Sequence, residues 1–427
     1  MNNCPMKTLL VIGYVWPEPN SSAAGSRMLQ LISSMQYDGY DVTYASPAQS
    51  SDHAIDFDAF NIRPVSIELN CSSFDDFIQQ LNPSAVLFDR YMMEEQFGWR
   101  VEKFCPEALR LLDTEDLHCL RFARQALAKG NESVIQDVPL EHLMSDYAKR
   151  EIAAILRCDL SIMISEYEMT LLTQVFNVPS HILAYVPFML ELKPNDPLPT
   201  FSERQHFVSI GNFRHEPNWD AVLMLKKHIW PLIRKQLPKA QLHIYGAYPP
   251  KKATQLHNEK QGFLVKGWCE DAFEVLQNSK VLLAPLRFGA GLKGKMLDAA
   301  QCGLPAITTS IGAEGLYDET NMTSTHEQTT CFSINDFNEF SQQAVVLYEN
   351  VDTWNTLHGN CQGWLKARFD KTVFEAALLK QIDNISKHLT QHRLKNFTGN
   401  MLRHHSMKST QYMSQWIEAK NKLVDQE

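Results

Sequence analysis

The stretch from Val281 to Leu316, VLLAPLRFGAGLKGKMLDAAQCGLPAITTSIGAEGL, constrains the fold more than any other part of this chain. Val281 to Leu286 is a short apolar run without polar alternation, the pattern of a parallel strand buried on both faces. Gly289, Gly291 and Gly294 then punctuate a loop that carries Lys293 and Lys295. Met296, Leu297, Ala299 and Ala300 favour a helix, and Gly303 stops it. Pro305 to Ser310 supplies the next strand, after which Ile311-Gly312-Ala313-Glu314-Gly315 turns the chain again.

That layout suits an anionic ligand. Glycines let backbone N–H groups approach a ligand closely, and a helix N-terminus carries partial positive charge. Lys293 and Lys295 add full charges, so a phosphate or diphosphate is the natural guest. Gly289, Gly294 and Lys295 also match the spacing of a P-loop, but Met296 stands where magnesium would need a hydroxyl ligand. A magnesium-dependent NTPase is therefore set aside. Both glycine loops follow strands, where open α/β sheets place their ligands.

At 427 residues the chain suits two domains plus extensions. Its net charge of −9 argues against nucleic acid as a partner, which needs a basic field. No apolar run approaches the ~20 residues of a membrane span. The apolar start of the chain lies inside an apparent first strand, which speaks against a signal peptide. Nine scattered cysteines without a Cys-x-x-Cys pair fit reduced thiols in a cytoplasmic protein, and no metal motif stands out.

The first half alternates strand and helix. Thr8 to Val15 reads as a strand, Ser21–Ser26 leads through Gly25 into a helix, and Val42 to Ala45 is the second strand. Val65 to Leu69 is expected as a strand, and Ser72 caps a helix to Leu81. Strands at Ala85–Phe88 and Leu109–Leu112 follow. The second of these ends in Asp113-Thr114-Glu115-Asp116-Leu117-His118, the best polar cluster of this half for chemistry. Leu140 to Leu156 reads as one amphipathic helix. The acids of Ser165-Glu166-Tyr167-Glu168 are expected to satisfy the N-terminus of the next helix. Pro187 to Arg204 is the linker.

Phe207 to Gly211 opens a second βαβ series, followed by Asn212-Phe213-Arg214-His215-Glu216-Pro217-Asn218-Trp219 and a helix from Trp219 to Leu237. The region from Thr372 to Leu389 reads as a helix crossing back to the first domain. Beyond it the tail carries seven Lys or Arg against one Glu between Lys387 and Lys422, and is expected to be solvated. Such a basic tail suits peripheral contact with anionic lipid.

The segment R-F-G-A-G-L-K-G-K-x-L-D-A-A-x-C-G-L-P-A-I-T-T resembles the donor site of group 1 retaining glycosyltransferases, in the subgroup with G-A-G-x-K-x-K in this loop. The resemblance implies a GT-B fold: α/β, two Rossmann-like domains with parallel sheets facing across a cleft. It divides the chain into an acceptor domain over 1–198, a nucleotide-sugar donor domain over 199–370, and a returning helix with basic tail over 371–427. It implies no cofactor, with a nucleotide-diphosphate-sugar as co-substrate, and a glycan, lipid-linked or other hydroxyl acceptor. Gly25, Gly291 and Gly312 would present backbone to the donor, Arg214, Lys293 and Lys295 would meet its diphosphate, and Asp298 would hold the ribose. His118 would hydrogen-bond the donor sugar, and Asp116 or Glu115 would position an acceptor hydroxyl. The usual pattern has a glutamate eight positions before Asp298, where this chain has Ala290; Glu314 is the candidate to replace it. A GT-B epimerase and a non-catalytic sugar-nucleotide scaffold are the alternatives.

Overall fold

The computed structural model describes residues 7–51, 53–192, 197–317 and 329–424. Seven strands build the first sheet: β1 (Lys7–Ile12), β2 (Tyr40–Ser46), β3 (Ile62–Ser66), β4 (Ala85–Asp89), β5 (Leu109–Asp113), β6 (Leu160–Met163) and β7 (Leu183–Tyr185). Six build the second: β8 (Gln205–Ile210), β9 (Leu242–Tyr245), β10 (Phe263–Gly267), β11 (Ser279–Ala284), β12 (Ala306–Thr308) and β13 (Cys331–Ser333). Their orders are β3-β2-β1-β4-β5-β6-β7 and β10-β9-β8-β11-β12-β13, with every pairing parallel. Each sheet is a doubly wound fold, reversing direction between β1 and β4 and between β8 and β11. Ligands bind at such reversals, beyond the carboxyl ends of the strands.

The core explains the strands' composition. Leu9 and Val11 of β1 pack on one side of the first sheet, Leu10 and Ile12 on the other. The second sheet divides likewise, with Val281 and Leu283 on one side and Leu282 and Ala284 on the other. A strand covered on both faces has no solvent side, so its sequence does not alternate.

Several local expectations need correction. The third strand runs over Ile62–Ser66 rather than starting at Val65; Pro64 is tolerated there because β3 is an edge. Ser72 does not cap the Ser73–Leu81 helix: its hydroxyl donates to Glu418 at 2.6 Å. The single helix expected from Leu140 is two, Leu140–Leu143 and Asp146–Arg157, because Ser145 caps the second through Ala148 N–H at 3.3 Å. The helix expected from Trp219 starts at Glu216 and is interrupted by a π-helical turn over Leu225–Ile229. Pro231, near the start of the following Trp230–Gln236 helix, has no N–H for a regular ladder.

The Lys371–Lys387 helix buries Leu378, Ile382 and Ile385 with the β1–β2 side of the first sheet. The tail is not a solvated coil. Residues Leu389–Lys395 and Phe397–Val424 are helices, and the second packs on the Arg90–Phe104 and Asp146–Arg157 helices. Two of its basic residues are structural: Arg393 and Arg403 converge on Asp159, Arg393 at 2.8 Å and Arg403 at 3.8 Å. Among the described residues no helix is long and apolar enough to cross a membrane.

Candidate functional site

The segments after β1 and β5 meet those after β8, β11 and β12, and the glycine loop of the second domain touches the first. The Gly294–Gln301 helix starts against the N-terminus of the Ala23–Tyr37 helix: a Cβ on Gly294 would lie 2.6 Å from the Ala23 Cβ. Gly291 has φ +65°, and a Cβ there would lie 2.9 Å from the Asp116 Cβ. Its conformation is one L side chains avoid, and its neighbour is the polar cluster after β5. Gly25 serves a similar close approach, since a Cβ there would lie 2.5 to 2.7 Å from the Glu18 backbone. Gly312 sits under Thr308, whose hydroxyl would be 1.7 Å from an added Cβ.

We expect Gly291→Ala to weaken donor binding more than stability. The left-handed backbone alone costs about 1–2 kcal/mol, and relief requires moving the loop away from Asp116. A rise in donor Kd with a small fall in Tm checks this.

The cations are held by backbone and amide oxygens. Lys293 is the residue before the Gly294–Gln301 helix; its ammonium donates to Gly291 O at 2.6 Å, and burial lowers its pKa. Lys295 donates to Asn218 Oδ1 at 2.7 Å, and burial pulls its pKa to about 8. Asp298 is pushed up to about 7 by burial, against the pull of Lys295. Arg214 lies exposed on the loop after β8, its guanidinium 3.6 Å from the Tyr248 ring centre. The Tyr248 hydroxyl in turn donates to Glu18 of the first domain at 3.0 Å. Each buried ammonium makes its direct contact with a neutral oxygen and feels acids only at longer range, Glu314, Glu168 and Asp116 around Lys293 and Asp298 near Lys295, so an anionic ligand would find both cations without a direct carboxylate contact.

The first domain contributes acids and a neutral imidazole. Burial opposes ionisation of Asp116, but Arg121 at 3.0 Å and His118 outweigh it and hold the carboxylate below its usual range. His118 begins the His118–Ala128 helix, with Nε2 3.5 Å from Asp116 Oδ1. Burial depresses its pKa to about 3, so at neutral pH it is an uncharged hydrogen-bonding group. Both Arg90 (φ 69°) and Glu115 (φ 62°), which follow the adjacent strands β4 and β5, have left-handed backbones. Strain of this kind gathers at functional sites. Glu115 is raised to about 8, by burial first and by Asp113 next.

Glu314 is already engaged. Arg124 of the first domain donates to both its oxygens, at 3.0 and 2.6 Å, and also to Gly289 O at 2.8 Å. The pair joins the helix of His118 to the glycine loop.

Two acids escaped the sequence reading. Glu168 does not satisfy its own helix: its Oε1 accepts from Leu117 N at 2.9 Å and from Gly291 N at 2.8 Å. It thus fastens the donor loop to the residue between Asp116 and His118. Glu151 accepts from the N–H groups of His118 and Cys119 at 2.9 and 2.8 Å, compensating the start of that helix. Arg27 and Asp113, fully buried at 3.1 Å, lock the Ala23–Tyr37 helix to the end of β5. The structure therefore brings together Gly291, Lys293, Asp116, His118 and Glu314 around the glycine loop, with Lys295 and Asp298 along its helix. Arg214 stands apart on the Tyr248 side.

Glu168 gives a pH signature. Burial, then Asp116, raises its pKa to about 8, and its Oε2 has no hydrogen-bond partner among the described residues. A carboxyl raised on folding binds its proton more tightly folded than unfolded. Its contribution is full below the unfolded value of 4.5 and is lost as pH rises through about 8. Gln mimics the neutral acid. Glu168→Gln should match wild-type stability near pH 5 and exceed it near pH 9, as denaturant unfolding at the two pH values would show.

Residues 204–350 match the family model described as glycosyl transferases group 1. A curated Klebsiella pneumoniae protein, described as an uncharacterized 44.6 kDa protein in the cps region, is 22% identical over 212 residues, 48% of this chain. The match spans 51% of that protein, about half its length. Among solved structures, Anabaena HepE in complex with UDP and glucose superposes with a TM-score of 0.66 at 10% identity, over 88% of this chain and 99% of that one. TarM gives 0.67 at 9% identity, over 89% and 99%. WaaG, a glycosyltransferase involved in lipopolysaccharide biosynthesis, gives 0.59 at 11%, over 86% and 98%. The chain has the GT-B fold, and residues 204–350, within its second sheet domain, are similar to the glycosyl transferases group 1 family.

Proposed function

We propose that this protein transfers a sugar from a nucleotide-diphosphate donor to an acceptor hydroxyl in polysaccharide or glycan assembly. The observation that carries the reading is the glycine loop with its buried Lys293, pressed against the Asp116–His118 loop of the opposite domain. Lys293, Lys295 and Arg214 meet the diphosphate and stabilise its charge as the leaving group departs, which requires no metal. Asp298 holds the ribose hydroxyls. Neutral His118 hydrogen-bonds the sugar, and ionised Asp116 orients the acceptor hydroxyl. Glu314 acts on the donor loop through Arg124. Retention at the anomeric carbon follows from the family likeness, and the relative from a cps region supports a polysaccharide acceptor.

A second reading rests on Ala290 and on the engaged Glu314: a scaffold that binds a sugar nucleotide without turning it over. Release of nucleoside diphosphate separates the two. The purified chain is incubated with UDP-, GDP- and ADP-sugars, with and without a simple glycoside acceptor, in EDTA. Acceptor-stimulated release supports transfer, and NMR of the product reads its anomeric configuration. Tight binding with no release favours the scaffold. Conversion of the donor to an isomer without acceptor would identify an epimerase.

A further inference from the structure

The Phe397–Val424 helix has one face with no partner among the described residues. Inward it is closely fitted: Arg403, Met407 and Ser414 are buried, and Arg157 and Arg100 donate to Ser406 and Ser414 at 3.1 and 3.3 Å. Outward it shows large apolar side chains, among them Phe397 (76% exposed), Tyr412 (65%), Trp416 (60%) and Leu423 (67%), with Met401 beside them. Spacings of four and seven put Phe397, Met401, Lys408, Tyr412, Trp416 and Leu423 on one stripe, along a rod roughly 40 Å long.

The charges select the occupant. Lys408 and Lys420 are exposed and make no ion pair among the described residues, and His405 lies exposed on the same face. The one acid of the helix, Glu418, is taken by Ser72 at 2.6 Å and Lys422 at 2.9 Å. A second copy of the chain docking on this stripe would set cations against cations, because a two-fold interface meets itself. An anionic lipid surface supplies the missing charge, accepts the apolar residues below its headgroups, and suits Trp and Tyr at the boundary. We propose that this helix is a monotopic anchor, lying flat on a bilayer of anionic lipid with Trp416, Tyr412 and Leu423 inserted. It fixes the first domain against the membrane, because the helix packs on that domain. The proposal stands independently of the reaction assigned above.

The test is flotation of the full chain with vesicles of phosphatidylcholine alone or mixed with phosphatidylglycerol. Wild type should float with the mixed vesicles, with affinity roughly tenfold higher than for phosphatidylcholine alone. Tyr412→Ser with Trp416→Ser should abolish flotation. Lys408→Glu with Lys420→Glu should remove the preference for anionic lipid. All four side chains are exposed, so the circular dichroism and Tm of both variants should match wild type. Failure of wild type to float on mixed vesicles would overturn the proposal, as would flotation that both variants retain. A dimer that the aromatic variant dissolves, without vesicle binding, would assign the face to a second copy instead.

Discussion

Lys293→Ala is expected to cut sugar transfer by roughly 10²–10³-fold, the loss seen when one preorganised group facing developing charge is removed. Three features concentrate the effect on this residue. Its ammonium is nearly buried, so its field acts through little water. It rests on the Gly291 carbonyl at the start of the Gly294–Gln301 helix, whose first backbone N–H groups would also face a bound diphosphate. Among the described residues it has no carboxylate at ion-pair distance, and of the acids that feel its charge Glu314 keeps Arg124 and Asp116 keeps Arg121, so the fold should tolerate the change. Arg214, exposed and stacked on Tyr248, should cost far less when replaced. A measured kcat within a few-fold of wild type for Lys293→Ala, with the protein folded, would move the diphosphate elsewhere.

Glu314→Ala is expected to destabilise the protein by about 3–5 kcal/mol, the cost of leaving one partner of a buried pair charged and alone. The Arg124 side chain is fully buried and that of Glu314 6% exposed, so solvent cannot replace what is lost. The same substitution unfastens the two domains, since Arg124 binds both Glu314 and Gly289 O. Glu314→Gln separates stability from chemistry. It keeps an acceptor for Arg124 but removes the charge. If Glu314 acts on the loop through Arg124, Gln should lower stability and raise donor KM together. If it touches the donor sugar directly, kcat should fall with KM unchanged. Urea unfolding alongside steady-state kinetics distinguishes the two.

The doubly wound architecture was legible because buried parallel strands and the residues that end helices are local signals. Val281 to Leu286, Gly303 and the serine at the start of the Ala23–Tyr37 helix each declare their role within a few residues. The glycine loop and Lys293 were legible for the same reason. Glu168 was not. Its neighbours mark it as an acid in a first helical turn, and its partners Leu117 and Gly291 lie 51 and 123 residues away. Arg124 was hidden in an amphipathic helix where an arginine is usually solvated. The π-helical turn before Pro231 keeps the apolar spacing of an α-helix closely enough to pass for one. The tail misled through composition: its basic residues suggested solvent, while Arg393 and Arg403 are spent on Asp159. Its one acid reaches Ser72, a contact across 346 positions that turns a charge count into a docked helix.

On this reading the glycine loop with Lys293 receives a nucleoside diphosphate. Thermal unfolding of wild type and Lys293→Ala against UDP, GDP and ADP, each with magnesium and with EDTA, tests it most directly. A ligand at 100 times its Kd stabilises by about 2.7 kcal/mol, well within reach of the method. One of the three should raise the Tm in EDTA and lose that effect in Lys293→Ala. A wild type whose Tm answers to none of them, or answers equally in the variant, would contradict it.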